Sequence, residues 1–358
     1  MKIAKPKISI RKITESRLFF PLVALAIILL FDLIFVPRVF RLETRDGNLY
    51  GTLIDILRNG STVCLLALGM TLVIATGGVD LSVGAVMAIA ASVAAVMMNP
   101  VIIGLELPPD LMKFINDPQF TYSPLWEVIV VTLLVATLFG LWNGFLVAYM
   151  KIQPMVATLI LMIAGRGIAQ LITNGVRIQI FYEPYAFIGQ GWIIVPFSLY
   201  IVAFMFVVAW LITRKTAIGM FIESIGINSR SSFFSGISEQ RIKLLAYAFC
   251  GLCAGIAGLV ASSNIKTSDA HNIGLGLELD AILAVVIGGT LMSGGRFSLF
   301  ASLIGALVIQ AITTSIYTFG VPAFALQAIK SVVVIFVILL YSDQVRSFVR
   351  RLGAQKGA

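Results

Sequence analysis

The sequence predicts an all-α integral membrane protein of about ten transmembrane helices, several of them short and broken at glycine, with both termini cytoplasmic. Three observations carry this expectation. Of the 358 residues, 59% are hydrophobic and only 12% are charged, against roughly 25% charge in soluble domains, and the mean hydropathy is +1.00. Apolar runs of about 18 to 24 residues recur along the chain, each long enough to cross roughly 30 Å of hydrocarbon as a helix. Most Lys and Arg residues gather at the chain ends and in connecting stretches. The net charge of +9 therefore reports orientation in a membrane and not a nucleic-acid ligand.

Residues 1–17 carry Lys2, Lys5, Lys7, Arg11, Lys12 and Arg17 against the single acid Glu15, which places this segment in the cytoplasm. The first apolar run, 18–36, outlasts the core of a signal peptide and ends in Pro37-Arg38, so it reads as a retained span. Further spans fall near 62–75, 84–98, 126–149, 155–173, 192–213, 244–262, 281–293, 298–317 and 323–341. Alternation from a cytoplasmic N-terminus puts Lys151, the segment 214–241, Arg296 and the basic tail 342–358 inside. The loop 99–125, with Glu106, Asp110 and Asp117 against Lys113, falls outside, as does the stretch 37–61 despite its four arginines. A single transmembrane domain, 18–341, is the simplest division.

Two stretches resemble each other: Ile74-Ala-Thr-Gly77-Gly78-Val-Asp80-Leu-Ser82-Val-Gly84 and Val286-Ile-Gly288-Gly289-Thr-Leu-Met-Ser293-Gly-Gly295. In both, a short apolar segment meets Gly-Gly, then a serine, then a further glycine. Short, glycine-interrupted spans at matching places in two halves point to a substrate pathway. The competing reading is close helix packing, the role expected of Gly140-x-x-x-Gly144 and Gly251-x-x-x-Gly255. Asp32, Asp80, Arg166, Asp280 and Lys330 lie within or beside apolar runs, where a charge at the helix centre costs roughly 2.5 to 3.5 kcal/mol. Each needs a partner or water. Asp80 and Asp280 could face the pathway, and Arg166 and Lys330 could pair with acids on other helices. Asn143, Gln153, Gln170, Gln310 and Gln327 offer amides to a solute or to a neighbouring helix, and Trp142 adds an aromatic face beside Asn143.

The segment 214–241 is too apolar for a linker. Ile218, Phe221, Ile222 and Ile225 follow helical spacing, and Gly226 and Gly236 punctuate it into short helices. This suits docking onto another protein, or an amphipathic helix lying on the membrane surface. No phosphate-binding loop of the Gly-x-x-x-x-Gly-Lys-Ser/Thr type occurs, so ATP hydrolysis by this chain alone is not expected, nor is any catalytic residue. Cys64, Cys250 and Cys253 sit in apolar runs as small buried residues. With His271 the only histidine, a zinc site of the usual Cys/His kind lacks ligands, and no metal is expected.

The segment Ala67-Leu-Gly-Met-Thr-Leu-Val-Ile-Ala-Thr-Gly-Gly-Val-Asp-Leu-Ser-Val-Gly84 resembles the signature of ribose/arabinose-type ATP-binding-cassette (ABC) sugar importer permeases. Thr216-x-x-Gly219 through Gly226-x-Asn228 to Ser235-Gly236-Ile237, and Glu278-Leu-Asp280-Ala-Ile through Val286-Ile-Gly-Gly289, follow the same family in the same order. The likeness spans most of residues 50–310. Within it, Lys151-Ile-Gln-Pro154-Met-Val-Ala-Thr-Leu-Ile-Leu-Met-Ile-Ala-Gly165-Arg-Gly167 is similar to the galactofuranose branch. Ser224, Ser231 and Ser232 depart from the family pattern, which often has small alanines there.

The resemblance implies a multi-pass permease of the bacterial inner membrane that imports a monosaccharide, with galactofuranose the nearest candidate. It implies a pair of permease subunits, two different chains in the galactofuranose system, with a cytoplasmic ABC ATPase carrying ATP and magnesium and a periplasmic sugar-binding protein that sets most of the specificity. Thr216, Gly219, Phe221, Glu223, Gly226, Asn228 and Gly236 would then meet the ATPase, and Gly77, Gly78, Asp80, Ser82, Asn143, Asp280, Gly288 and Gly289 would lie near the pathway. An ion-coupled secondary transporter of a small polar solute is the rival expectation; it would need acids converging near the midplane.

Overall fold

The computed structural model describes residues 18–35, 43–45, 47–98, 123–322, 325, 327–332 and 335. The terminal segments 1–17 and 342–358, nearly all of the expected outer loop 99–125 and much of the last expected span, 323–341, lie outside the described residues.

The described residues are mostly helical. In order the helices are α1 (Phe19–Phe35), α2 (Thr52–Ala75), α3 (Val83–Met98), α4 (Leu125–Ala148), α5 (Pro154–Ile172), α6 (Glu183–Gln190), α7 (Phe197–Lys215), α8 (Ile218–Ile227), α9 (Ser229–Phe234), α10 (Glu239–Ile265), α11 (Leu277–Ile287) and α12 (Leu299–Thr318). Six of them, α2, α4, α5, α7, α10 and α12, are long and apolar enough to cross a membrane. The only strands among the described residues are short antiparallel pairs: Glu43–Arg45 with Asn48–Tyr50, Ile178–Gln179 with Thr267–Ser268, and Trp192–Ile193 with Val195–Pro196.

Side-chain placement is that of a protein solvated by hydrocarbon. On α4 the buried stripe is Val128, Thr132, Ala136, Gly140 and Gly144, mostly small residues four apart. Its exposed face is Val130, Leu134, Leu138 and Trp142. Lipid tails are as apolar as leucine, so large residues gain nothing by turning inward, while small ones let backbones approach. The central helix α10 uses this against α4. A Cβ on Gly251 would lie 2.8 Å from Gly140 Cα, and one on Gly144 would lie 3.0 Å from Leu244 Cα. Both expected small-residue motifs thus interlock. Around α10 pack α2, α3, α4 and α6, with α12 and α11 against α2 and α5 against α3.

Of the differences from the sequence expectation, three bear on the packing and the glycine elements. Helix α2 starts at Thr52, ten residues before the apolar run. Asp55, Arg58 and Asn59 interrupt hydropathy there, and Arg58 Nη2 donates to Asn264 Oδ1 of α10. The expected span 281–293 is helical only over α11, and its C-terminal part turns out of the helix at Gly288 and Gly289 (φ +79°). Gly226 lies inside α8; the break falls at Asn228, whose Oδ1 accepts from Ser231 N at 3.0 Å and caps α9.

Candidate translocation pathway and coupling surface

The two repeated glycine elements and the segment 214–241 meet. Helix α2 ends at Ala75, and Gly77 (φ +79°) reverses the chain with its N–H on Ile74 O at 2.9 Å. The turn after α11 ends in Gly294 (φ +88°) and Gly295 (φ +100°), and Gly295 N donates to Ala75 O at 2.9 Å. Helix α8 closes the junction. A Cβ on Gly226 would lie 2.9 Å from Gly295 Cα and closer still to Ala75 O, so backbone touches backbone here without room for a side chain. One on Gly294 would lie 3.0 Å from both Gly77 Cα and Gly226 Cα. Gly219, at the other end of α8, is packed as tightly against the C-terminal turn of α7, 2.9 Å from Thr213 Cα by the same measure.

Of the residues expected to meet a partner, Gly219 and Gly226 therefore face the bundle, and Phe221 is partly buried against its core. Thr216, Asn228 and Gly236 are exposed and Glu223 is half-buried. Thr216 Oγ1 accepts from Ile218 N at 3.2 Å, shaping the entry into α8, and Gly236 (φ +81°) turns the chain out of α9 with open space around it. The outward apolar surface comes from residues the spacing argument did not single out: Met220, Ile227, Phe233 and Phe234, the last 80% exposed. Two adjacent phenylalanines on a six-residue helix were the available signal.

Above the junction lies a closed polar cluster. Asp80 Oδ1 accepts from Ser82 N at 2.9 Å, Ser82 Oγ at 2.6 Å and Asn143 Nδ2 at 3.4 Å, and Asn143 Nδ2 also reaches Ser82 Oγ at 2.8 Å. Tyr247 Oη donates to Val79 O at 3.2 Å. Asp80, Ser82 and Asn143 are all at most 1% exposed. The cluster satisfies the backbone where the chain breaks between α2 and α3, the requirement for irregular structure at membrane depth. Trp142 does not share it. It faces outward over an apolar groove of about 510 Å³ between α4 and α5, with Leu138, Ile160 and Ile168. Gly78 packs on Tyr247 (2.7 Å from a built Cβ to Oη), Gly288 packs on Ser302 of α12 (2.7 Å to N), and Gly289 has open space.

A second irregular segment, Asp269–Gly276, precedes α11. Arg166 of α5 donates to Ala270 O at 3.3 Å and to Ile273 O, and Gln170 Nε2 lies 3.1 Å from His271 Nδ1. Lys330 pairs with Asp280 at 2.6 Å, each side chain 14% exposed, which joins α11 to the helical residues 327–332. The expected pairing of a span lysine with an acid is met here. Among the described residues no cluster of three or more metal-ligating His, Cys, Asp or Glu side chains occurs.

Residues 52–342 match the family described as branched-chain amino acid transport system / permease component. The chain is 46% identical over 331 residues to the galactofuranose transporter permease of Escherichia coli (strain K12), covering 92% of this chain and 91% of that protein. It is 36% identical to the fructose import permease of Bifidobacterium longum (strain NCC 2705), over 94% of this chain and 91% of the relative. The ribose import permease of Haemophilus influenzae is 34% identical, over 80% of this chain and 84% of the relative. No solved structure matches.

Proposed function

We propose, from the premise that the chain belongs to the branched-chain amino acid transport system / permease component family, that it carries a monosaccharide across the bacterial inner membrane toward the cytoplasm. It is the membrane permease subunit of an ABC sugar importer. The solute nearest to its relatives is galactofuranose, handed over by a periplasmic binding protein. The working assembly adds a second permease, in this reading a different chain, and an ABC ATPase that binds ATP and magnesium. In this reading the chain crosses the membrane about ten times with both termini cytoplasmic, and α2, α4, α5, α7, α10 and α12 supply six of the crossings.

The observation that carries this reading is the junction of Gly226 with Ala75 and Gly295. Met220, Ile227, Phe233 and Phe234 offer the ATPase an apolar foothold. A displacement of α8 and α9 by that partner is passed, without intervening side chains, to the end of α2 and to the turn after α11. Both glycine elements then move with one lever. Packed interfaces of this kind transmit strain because they are not continuously deformable.

The test is reconstitution of this permease with its co-purifying ATPase, partner permease and binding protein in liposomes. Uptake of monosaccharide that needs ATP and survives collapse of proton and sodium gradients is expected. Uptake that persists without the ATPase and stops with the gradient would support the ion-coupled rival instead, which the relatives do not favour.

A further inference from the structure

Helix α11 has 11 residues, a rise of about 16 Å, roughly half the hydrocarbon thickness. Its lower end is at the glycine junction, so the segment before it, Asp269–Gly276, descends into membrane depth as irregular chain. Contacts agree: a Cβ on Gly274 would lie 3.1 Å from Gly84 C, at the first turn of α3. Irregular backbone at that depth survives only buried in protein or lining water. Here side chains satisfy it. Asp269 Oδ1 accepts from His271 N at 3.0 Å and Asn272 N at 3.3 Å, and Arg166 holds the carbonyls of Ala270 and Ile273. Charged groups flank the segment, Arg177 on a side chain 70% exposed and Glu278 buried. Arg177 Nε pairs with Asp269 Oδ2 at 2.7 Å, and Glu278, only 8% exposed, lies beside Gly84 within the field of Arg166.

What the segment turns outward is different. His271 and Asn272 are exposed, and Gln170 is half-exposed beside them. Gln170 lies in the last turn of α5, so these polar side chains stand at the upper mouth of the segment, above the part that Gly274 seats on α3, and face water and not lipid. Amide and imidazole groups both donate and accept, which matches hydroxyl groups and offers no net charge to an ion. Leu275 (60% exposed) and Leu279 (56% exposed) follow, an apolar collar suited to the C–H faces of a sugar ring.

We propose that the Asp269–Gly276 segment, clamped by Arg166, is a constriction in the path where Gln170, His271 and Asn272 hydrogen-bond a neutral polyhydroxylated solute and contribute to its selection. The proposal builds on the importer reading. Arg166 is a positioning residue in it, acting through the two carbonyls it holds.

Two experiments test it on the full reconstituted complex. In the first, His271→Ala and Gln170→Ala are compared with the unaltered permease, using whichever of galactose, fructose or ribose that permease imports best, together with its monodeoxy analogues, each presented at saturating loaded binding protein. Loss of one hydrogen bond should slow the parent sugar about fivefold. The analogue lacking the contacted hydroxyl should be slowed much less. Arg166→Ala should slow all solutes alike, with partial recovery in Arg166→Lys. Equal slowing of parent and all analogues by His271→Ala and Gln170→Ala, or no slowing, overturns the proposal.

In the second, His271→Cys is exposed to a membrane-impermeant thiol reagent; the native Cys64, Cys250 and Cys253 are buried and give little background. Labelling that slows while sugar is being imported supports the path. No labelling in any state of the ATP cycle places residue 271 against lipid and also overturns the proposal. Failure of the unaltered complex to import any of the three sugars would count against the importer reading, a result separable from either outcome above.

Discussion

Replacing Gly226 by alanine should uncouple ATP hydrolysis from transport while leaving the membrane domain folded. The added Cβ would stand 2.9 Å from Gly295 Cα, where ordinary contact begins near 3.4 Å, and it would also enter the carbonyl of Ala75. No flexible side chain can yield, and the built Cβ falls well inside contact distance of Ala75 O and Gly295 N, so α8 must back away from the junction by about an ångström or more. Overpacking of this kind costs about 1 to 3 kcal/mol, and the gain in helix propensity from Gly to Ala returns about 1 kcal/mol. The net loss is small against the roughly 5 to 15 kcal/mol that holds a domain folded. The damage is therefore mechanical. In proteoliposomes with the complete complex, ATPase turnover should persist while sugar imported per ATP falls about tenfold, the effect of displacing a coupling geometry worth about 1.4 kcal/mol. Gly236→Ala is the control. It forces an alanine into φ +81° at a strain of about 1 to 2 kcal/mol, yet meets no neighbour. Gly236→Ala should keep the transport-to-hydrolysis ratio. An unchanged ratio in Gly226→Ala would refute the lever.

Asp80→Asn keeps an acceptor oxygen for Ser82 and Asn143 and should assemble normally, whereas Asp80→Ala strands those donors and should cost about 1 to 3 kcal/mol, read as a lowered melting temperature in detergent. Lys330→Ala should destabilise the fold by about 3 kcal/mol by leaving Asp280 unpaired, and pairing it with Asp280→Ala should restore part of the loss in a double-mutant thermal series. Gly140→Val drives a branched side chain into Gly251 and the carbonyl of Tyr247; it should abolish membrane accumulation of the folded chain, measured by fluorescence-detected size exclusion. Phe233→Ser with Phe234→Ser should leave the isolated permease as stable as before while reducing recovery of the ATPase on affinity purification.

Much of the fold was readable because hydropathy reports the lipid-facing helices directly. The expected spans 126–149 and 155–173 lie within a residue of α4 and α5. Hydropathy failed where a polar residue is satisfied by tertiary partners, as with Arg58 at the start of α2, or where an apolar run continues through a turn, as it does beyond Ile287. The candidate site divides the same way. Both glycine elements and the segment 214–241 could be seen separately in the residues. That Gly226 seats against both elements could not, since contact between positions 75, 226 and 295 has no local signature. Trp142 and Asn143, neighbours in sequence, leave α4 on different faces because successive helical positions are about 100° apart, so only Asn143 joins the buried cluster.

The two irregular segments solve the same physical problem with different chemistry, and that difference divides their labour. Around Asp80 the side chains of Asp80, Ser82 and Asn143 bond one another and are sealed from solvent, closing the break between α2 and α3. Around Arg166 the backbone is held by that one side chain from α5 and by Asp269 of the segment itself, while His271 and Asn272 stay exposed. A clamp made of one guanidinium on two carbonyls can release without breaking a helix. On the proposed coupling, movement of α8 is expected to enter through the glycine contacts and to reach, along the short α11, the segment that Arg166 holds. The short length of α11 is what leaves room above it for the irregular segment that Arg166 clamps.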